Sequence, residues 1–75
     1  MKKIRAFIAR DKNGIVALFL YGKPYKDKVT QAWTNNNDFT MLEEYDLPED
    51  INPSWKDKEP CEVELIINKK NQNRG

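Results

Sequence analysis

The stretch "IRAFIARDKNGIVALFLYG", residues 4–22, constrains the fold of this chain more than any other. Two runs rich in β-branched and aromatic residues flank "DKNG", with Asp11 at the first turn position and Gly14 at the fourth. That arrangement suits a type I turn closed by a left-handed glycine in a bulge; a two-residue loop on Asn13 and Gly14 is the rival. The bulged register pairs Ile8 with Leu18 and Ala6 with Leu20. It gathers Ile4, Ala6, Ile8, Val16, Leu18 and Leu20 on one face, and a slip of one residue would turn one strand over. The opposite face carries Arg5, Phe7, Ala9, Ala17, Phe19 and Tyr21. It is too apolar to be left in water, so either a later segment covers it or it is a binding surface.

Further along, "GKPYKDK" (22–28) reads as a loop and "VTQAW" (29–33) as a strand. "TNNND" is a turn in which asparagine can take the left-handed conformation. "FTML" (39–42) reads as a returning strand. Its rival is a helix capped by Thr40 with Glu43 three residues later, which Pro48 would stop within two turns. "CEVELII" alternates cleanly, with Cys61, Val63, Leu65 and Ile67 on one side and Glu62, Glu64 and Ile66 on the other. The expected strands are therefore 3–10, 15–21, 29–34, 39–43 and 61–67. The expected fold is mainly β: a small antiparallel sheet or partly open barrel of four to five strands. A small α+β domain with a short helix near 40–46 or 54–58 is the alternative. Residues 1–67 make one domain, and 68–75, without an apolar residue, are expected to form a disordered polar tail.

Between the last two expected strands lies the acidic segment "EEYDLPEDINPSWKDKEP", residues 43–60. A calcium loop needs alternating oxygen ligands and a glycine for its sharp turn, and no glycine stands between Gly22 and Gly75. Leu47, Ile51 and Trp55 instead recur every four residues, as anchors of a connection packed over a sheet face. Pro48, Pro53 and Pro60 stiffen it and lower the entropy lost on folding.

A chain of 75 residues has a thin core, and with one cysteine and no histidine it lacks an intramolecular disulfide and imidazole chemistry. Cys61 has no CxxC partner, and glycines at 14, 22 and 75 cannot build a phosphate loop. The chain is expected to be non-enzymatic, with no metal and no cofactor. The longest apolar run, "IVALFLY" (15–21), is far short of the roughly 18 residues of a membrane span. A lone thiol and the absence of an apolar signal region after "MKKIRAFIAR" point to the cytoplasm.

The net charge of +1 hides a sorting along the chain. Residues 1–30 hold eight Lys or Arg against Asp11 and Asp27, whereas 31–66 hold ten acids against Lys56 and Lys58. A basic hairpin with Arg5, Phe7, Phe19 and Tyr21 on one face, and Tyr25 and Trp33 nearby, could hold a single-stranded nucleic acid. The opposing expectation pairs the last strand with the first, setting Glu62 and Glu64 against Lys3, Arg5 or Arg10 and cancelling the patch. On that reading the same six residues are a surface for a protein partner, self or other.

"FIARDKNG", the tryptophan and turn that follow, "LPEDINPSW" and "PCEVEL" together resemble a set of small uncharacterised proteins of Bacteroides-type gut bacteria and their prophages and other mobile elements. The resemblance covers roughly residues 6–65 and departs at "YGKPYKDKVTQA" (21–32). It implies a recurring small domain carried by mobile DNA, and no catalytic or binding residues.

Overall fold

A computed structural model describes residues 2–67; the tail expected at 68–75 lies outside them. The chain forms β1 (Lys2–Arg10), β2 (Val16–Phe19), β3 (Tyr25–Asp27), β4 (Ala32–Thr34), β5 (Phe39–Leu42) and β6 (Cys61–Ile67). One turn of 3₁₀-helix at Glu44–Asp46 follows β5. A four-stranded antiparallel sheet has the order β5-β2-β1-β6, and β3 and β4 make a separate two-stranded sheet. The large sheet stays open, with β5 and β6 at its two edges, so no barrel forms.

The β1–β2 turn has the bulged geometry. The Gly14 N–H donates to the Asp11 carbonyl (2.9 Å) and the Asp11 N–H to the Ile15 carbonyl (2.8 Å). Gly14 has φ +96°, a conformation that side chains resist. The register follows, with Ile8 opposite Leu18 and Arg10 opposite Val16.

The sheet is apolar on both faces, and the two are covered differently. Phe7, Ala9, Ala17 and Phe19 form a buried cluster with Trp33, against which Trp55 packs. Phe19 is fully buried and Trp33 is 4% exposed. The cover is the β3–β4 hairpin, which the sequence reading missed in part: residues 22–28 were expected as a loop and 29–34 as one strand. Instead β3 uses residues 25–27, and the β-formers Val29 and Thr30 lie in the turn. The Asp27 carboxylate accepts from the Val29 N–H (2.9 Å), and Gln31, at φ 59°, closes the loop by donating its N–H to the Asp27 carbonyl (2.8 Å). Local hydrogen bonding to Asp27 outweighs the β-propensity of Val29, a residue that is 91% exposed.

Thr40 is in a strand, not at a helix cap, and the single 3₁₀ turn is what remains of the α+β alternative. Segment 43–60 does more than cover one face. Pro48 and Ile51 border an apolar cleft whose lining includes Ile8, Leu18, Leu42, Val63 and Leu65. Trp55 packs on the other face. The segment is a strap that passes round the end of the sheet.

Trp33 holds the second sheet on the first in two ways, by area and by its donors. Its indole N–H donates to the Arg10 carbonyl (3.1 Å) and its backbone N–H to the Asp11 carboxylate (2.8 Å). Its ring meets Trp55 edge-on at 6.5 Å. Trp33→Ala should lose about 3–5 kcal/mol, as truncation of a buried aromatic does, and Trp55→Ala distinctly less because that residue is only partly buried. Urea unfolding of the two variants measures the difference.

Candidate functional site

The basic and acidic portions of the chain meet where β1 runs beside β6. The register sets Arg5 opposite Glu64 and Phe7 opposite Glu62. Arg5 Nε reaches Glu62 Oε2 at 2.8 Å, with a second bond from its Nη2 to Oε1 at 3.2 Å. Lys3 Nζ lies 3.9 Å from Glu64. These pairs are exposed and each adds little stability, but they cancel the local charge. The Arg5 guanidinium also lies over the Phe7 ring, 5.4 Å from its centre.

Arg10, the third cation expected opposite Glu62 and Glu64, goes elsewhere. Its side chain is only 19% exposed. It donates from Nε to the Pro53 carbonyl (2.8 Å) and from Nη1 to the Gly14 carbonyl (3.1 Å). Nη1 and Nη2 also grip both oxygens of Glu44, at 2.5 and 3.1 Å. Sequence proximity to the hairpin end could not signal this, because the strap alone brings Glu44 and Pro53 there. The hydrogen bonds from Arg10 hold the Glu44 carboxyl below its ordinary range, and Glu44 in turn raises Arg10.

Of the six residues expected on one surface, Phe7, Phe19 and Trp33 are in the core. They offer no ring face to a base or a partner, because Trp33, on β4, packs against Phe7 and Phe19 of the large sheet and all three are buried. Arg5, Tyr21 and Tyr25 are exposed. Tyr21 and Tyr25 are grouped by the asparagine turn, where Asn37 donates to the Tyr21 carbonyl (3.1 Å) and Asn36 to the Tyr25 hydroxyl (3.4 Å). Lys26 is drawn inward over Trp33 and Trp55, at 5.5 and 4.7 Å from the ring centres, and Lys23 pairs with Glu59.

What the fold leaves open is its edges and one cleft. On β5, Phe39 and Met41 are 50% and 66% exposed. β5 carries no charged side chain, and among the described residues only β2 pairs with it. β6, the other edge, alternates Glu62 and Glu64 with Val63 and Leu65. Beside it lies the apolar cleft, about 460 Å³, with Asp46 and Asp50 in its lining and no lysine or arginine. Sequence reasoning missed the β5 edge, for which the signal was present: "FTML" is a strand without a charge.

Among the described residues no helix is long and apolar enough to cross a membrane. No protein-family model, curated protein or solved structure matches this chain, so the reading of its surfaces rests on their own chemistry.

Two measurements follow from the ionisable groups. The depressed Glu44 carboxyl contributes stability above its unfolded pKa, about 4.3, and loses it as pH falls through the lower folded value. Acid unfolding of Glu44→Gln should therefore be less steep below about pH 4.3 than that of the parent chain. Cys61 is half-buried, and burial first, then the nearby Asp57, pushes its thiol up. Alkylation at neutral pH should be slower in the folded protein than in urea.

Proposed function

We propose that this protein is a non-enzymatic interaction module that associates with copies of itself through the β5 edge. The observation that carries the reading is the unprotected state of that edge. Natural sheets blunt their edges with charges, prolines or bulges, and β5 has none of these along Phe39–Leu42. An antiparallel pair about Thr40 sets Phe39 of one copy opposite Met41 of the other on one face. A thioether against an aromatic edge is a favourable contact. It also joins two four-stranded sheets into one.

The contact is small, so the association is weak. A fully buried Phe or Met contributes about 1.5–3 kcal/mol, and these rings and thioethers are already half-covered. Against that stands an association cost of at least about 4 kcal/mol. Main-chain hydrogen bonds along the added pair, about 0.5–1.5 kcal/mol each, make up the difference, so a reversible dimer with Kd between about 10 µM and 1 mM is the expected scale.

A single-stranded nucleic-acid surface has less support, since Phe7 and Phe19 are buried and Glu62 and Glu64 neutralise Arg5 and Lys3. A lone half-buried thiol suits a reducing compartment, which favours the cytoplasm.

Sedimentation velocity across that concentration range tests the reading. The parent chain should shift from monomer to dimer, and Met41→Lys, which puts a charge on an exposed edge position, should stay monomeric while remaining folded. A parent chain that is monomeric throughout, or a variant that dimerises equally well, would sink it.

A further inference from the structure

The outer edge of β6 differs from β5 in every respect that matters for pairing, and its inner edge shows what it pairs with. Along β1, Arg5 falls opposite Glu64 and Phe7 opposite Glu62, whereas Ile4 falls opposite Leu65 and Ala6 opposite Val63. The cations Lys3 and Arg5 thus share the carboxylate side with Phe7 and pair with Glu64 and Glu62, and the other side is apolar along Ile4, Ala6, Val63 and Leu65. We infer that the outer edge of β6 docks an extended segment of another protein in which Lys or Arg alternates with aliphatic residues.

Two further observations point the same way. A second copy of β6 is a poor occupant. Antiparallel pairing keeps like faces together, so registers centred on Val63 or Glu64 set a glutamate directly opposite a glutamate, which is destabilising. Then there is the cleft beside the strand. Val63 and Leu65 line it together with Ile51, and its charged lining residues, Asp46, Asp50, Glu62 and Glu64, are all acidic. A strand added to β6 would lay alternate aliphatic side chains along that apolar wall and its cations along Glu62 and Glu64. The pairs with Arg5 and Lys3 leave room for this, since a carboxylate has about four acceptor positions and both glutamates are more than half exposed. Main-chain bonding would supply affinity and the alternating side chains selectivity, as in other strand additions.

The inference uses the edge opposite to β5 and stands whether or not the chain self-associates. Its test is a titration of the ¹⁵N-labelled protein with the capped peptide Lys-Val-Lys-Val-Lys-Val-Lys, followed by amide shifts. Saturable shifts should be confined to Glu62–Ile66 and the adjoining cleft. The peptide with Glu in place of each Lys should give none. The double variant Glu62→Lys, Glu64→Lys should reverse the preference, weakening the basic peptide about tenfold or more and admitting the acidic one. Met41→Lys should bind the basic peptide as the parent does. Absence of shifts at β6, equal response to both peptides, an unreversed preference in the double variant, or shifts centred on β5 would each overturn the inference.

Discussion

One guanidinium fastens the parts of this fold that have least apolar surface of their own. Arginine offers five N–H donors in a fixed plane, and Arg10 uses four of them, on the strap at Pro53, the hairpin turn at Gly14 and the 3₁₀ turn at Glu44. Its carbonyl and the carboxylate of Asp11 receive the two donors of Trp33. The hairpin end of the large sheet is therefore where the strap, the second sheet and the first sheet meet. A chain this short has few large buried side chains to do the same work by packing, with Phe19 and Val16 the largest that are fully buried. Without Arg10, the carbonyls of Pro53 and Gly14 would lose their charged donor, a loss typically of about 1.5–3 kcal/mol for such a bond.

The elements legible in the sequence were those whose pattern is local. "DKNG" specified its turn through the chemistry of an aspartate and a left-handed glycine, and that turn set the register of β1 on β2. "CEVELII" gave β6 by alternation, with bounds that match the structure. Of the second sheet, β4 fell within the expected strand 29–34, but β3 was not legible, because Tyr25, Lys26 and Asp27 become a strand only by pairing with Ala32–Thr34. The same limit explains the candidate surface. A pattern can show that a sheet face is apolar, but not which later segment arrives to cover it, so Phe7, Phe19 and Trp33 appeared as a surface when they are a core. It also explains Arg10, whose partner Glu44 stands 34 positions away on a strap without regular period.

The sorting of charge along the chain has a spatial meaning. Lys3 and Arg5 meet Glu64 and Glu62 across neighbouring strands, so an asymmetric sequence yields a locally neutral ribbon. The two edges of the sheet are then unlike. β5 is uncharged and exposes Phe39 and Met41, whereas β6 is guarded by carboxylates on one face and borders an apolar cleft on the other. A single small sheet in this way presents two chemically distinct edges, one uncharged and one acidic.

The strand order has a consequence for how the domain comes into being on the ribosome. β1 is made first, yet its partner along Lys2–Ala6 is β6, which emerges only after the strap has been translated. Until then the β1–β2 hairpin and β5 can assemble locally, while one side of the first strand stays unsatisfied and its lysine and arginine uncompensated. Closing a loop of this length carries an entropic cost before any long-range contact rewards it. The nascent chain therefore passes through a stage in which its earliest strand is a cationic, half-paired ribbon, and the acidic strand that quenches it is the last of the six to arrive.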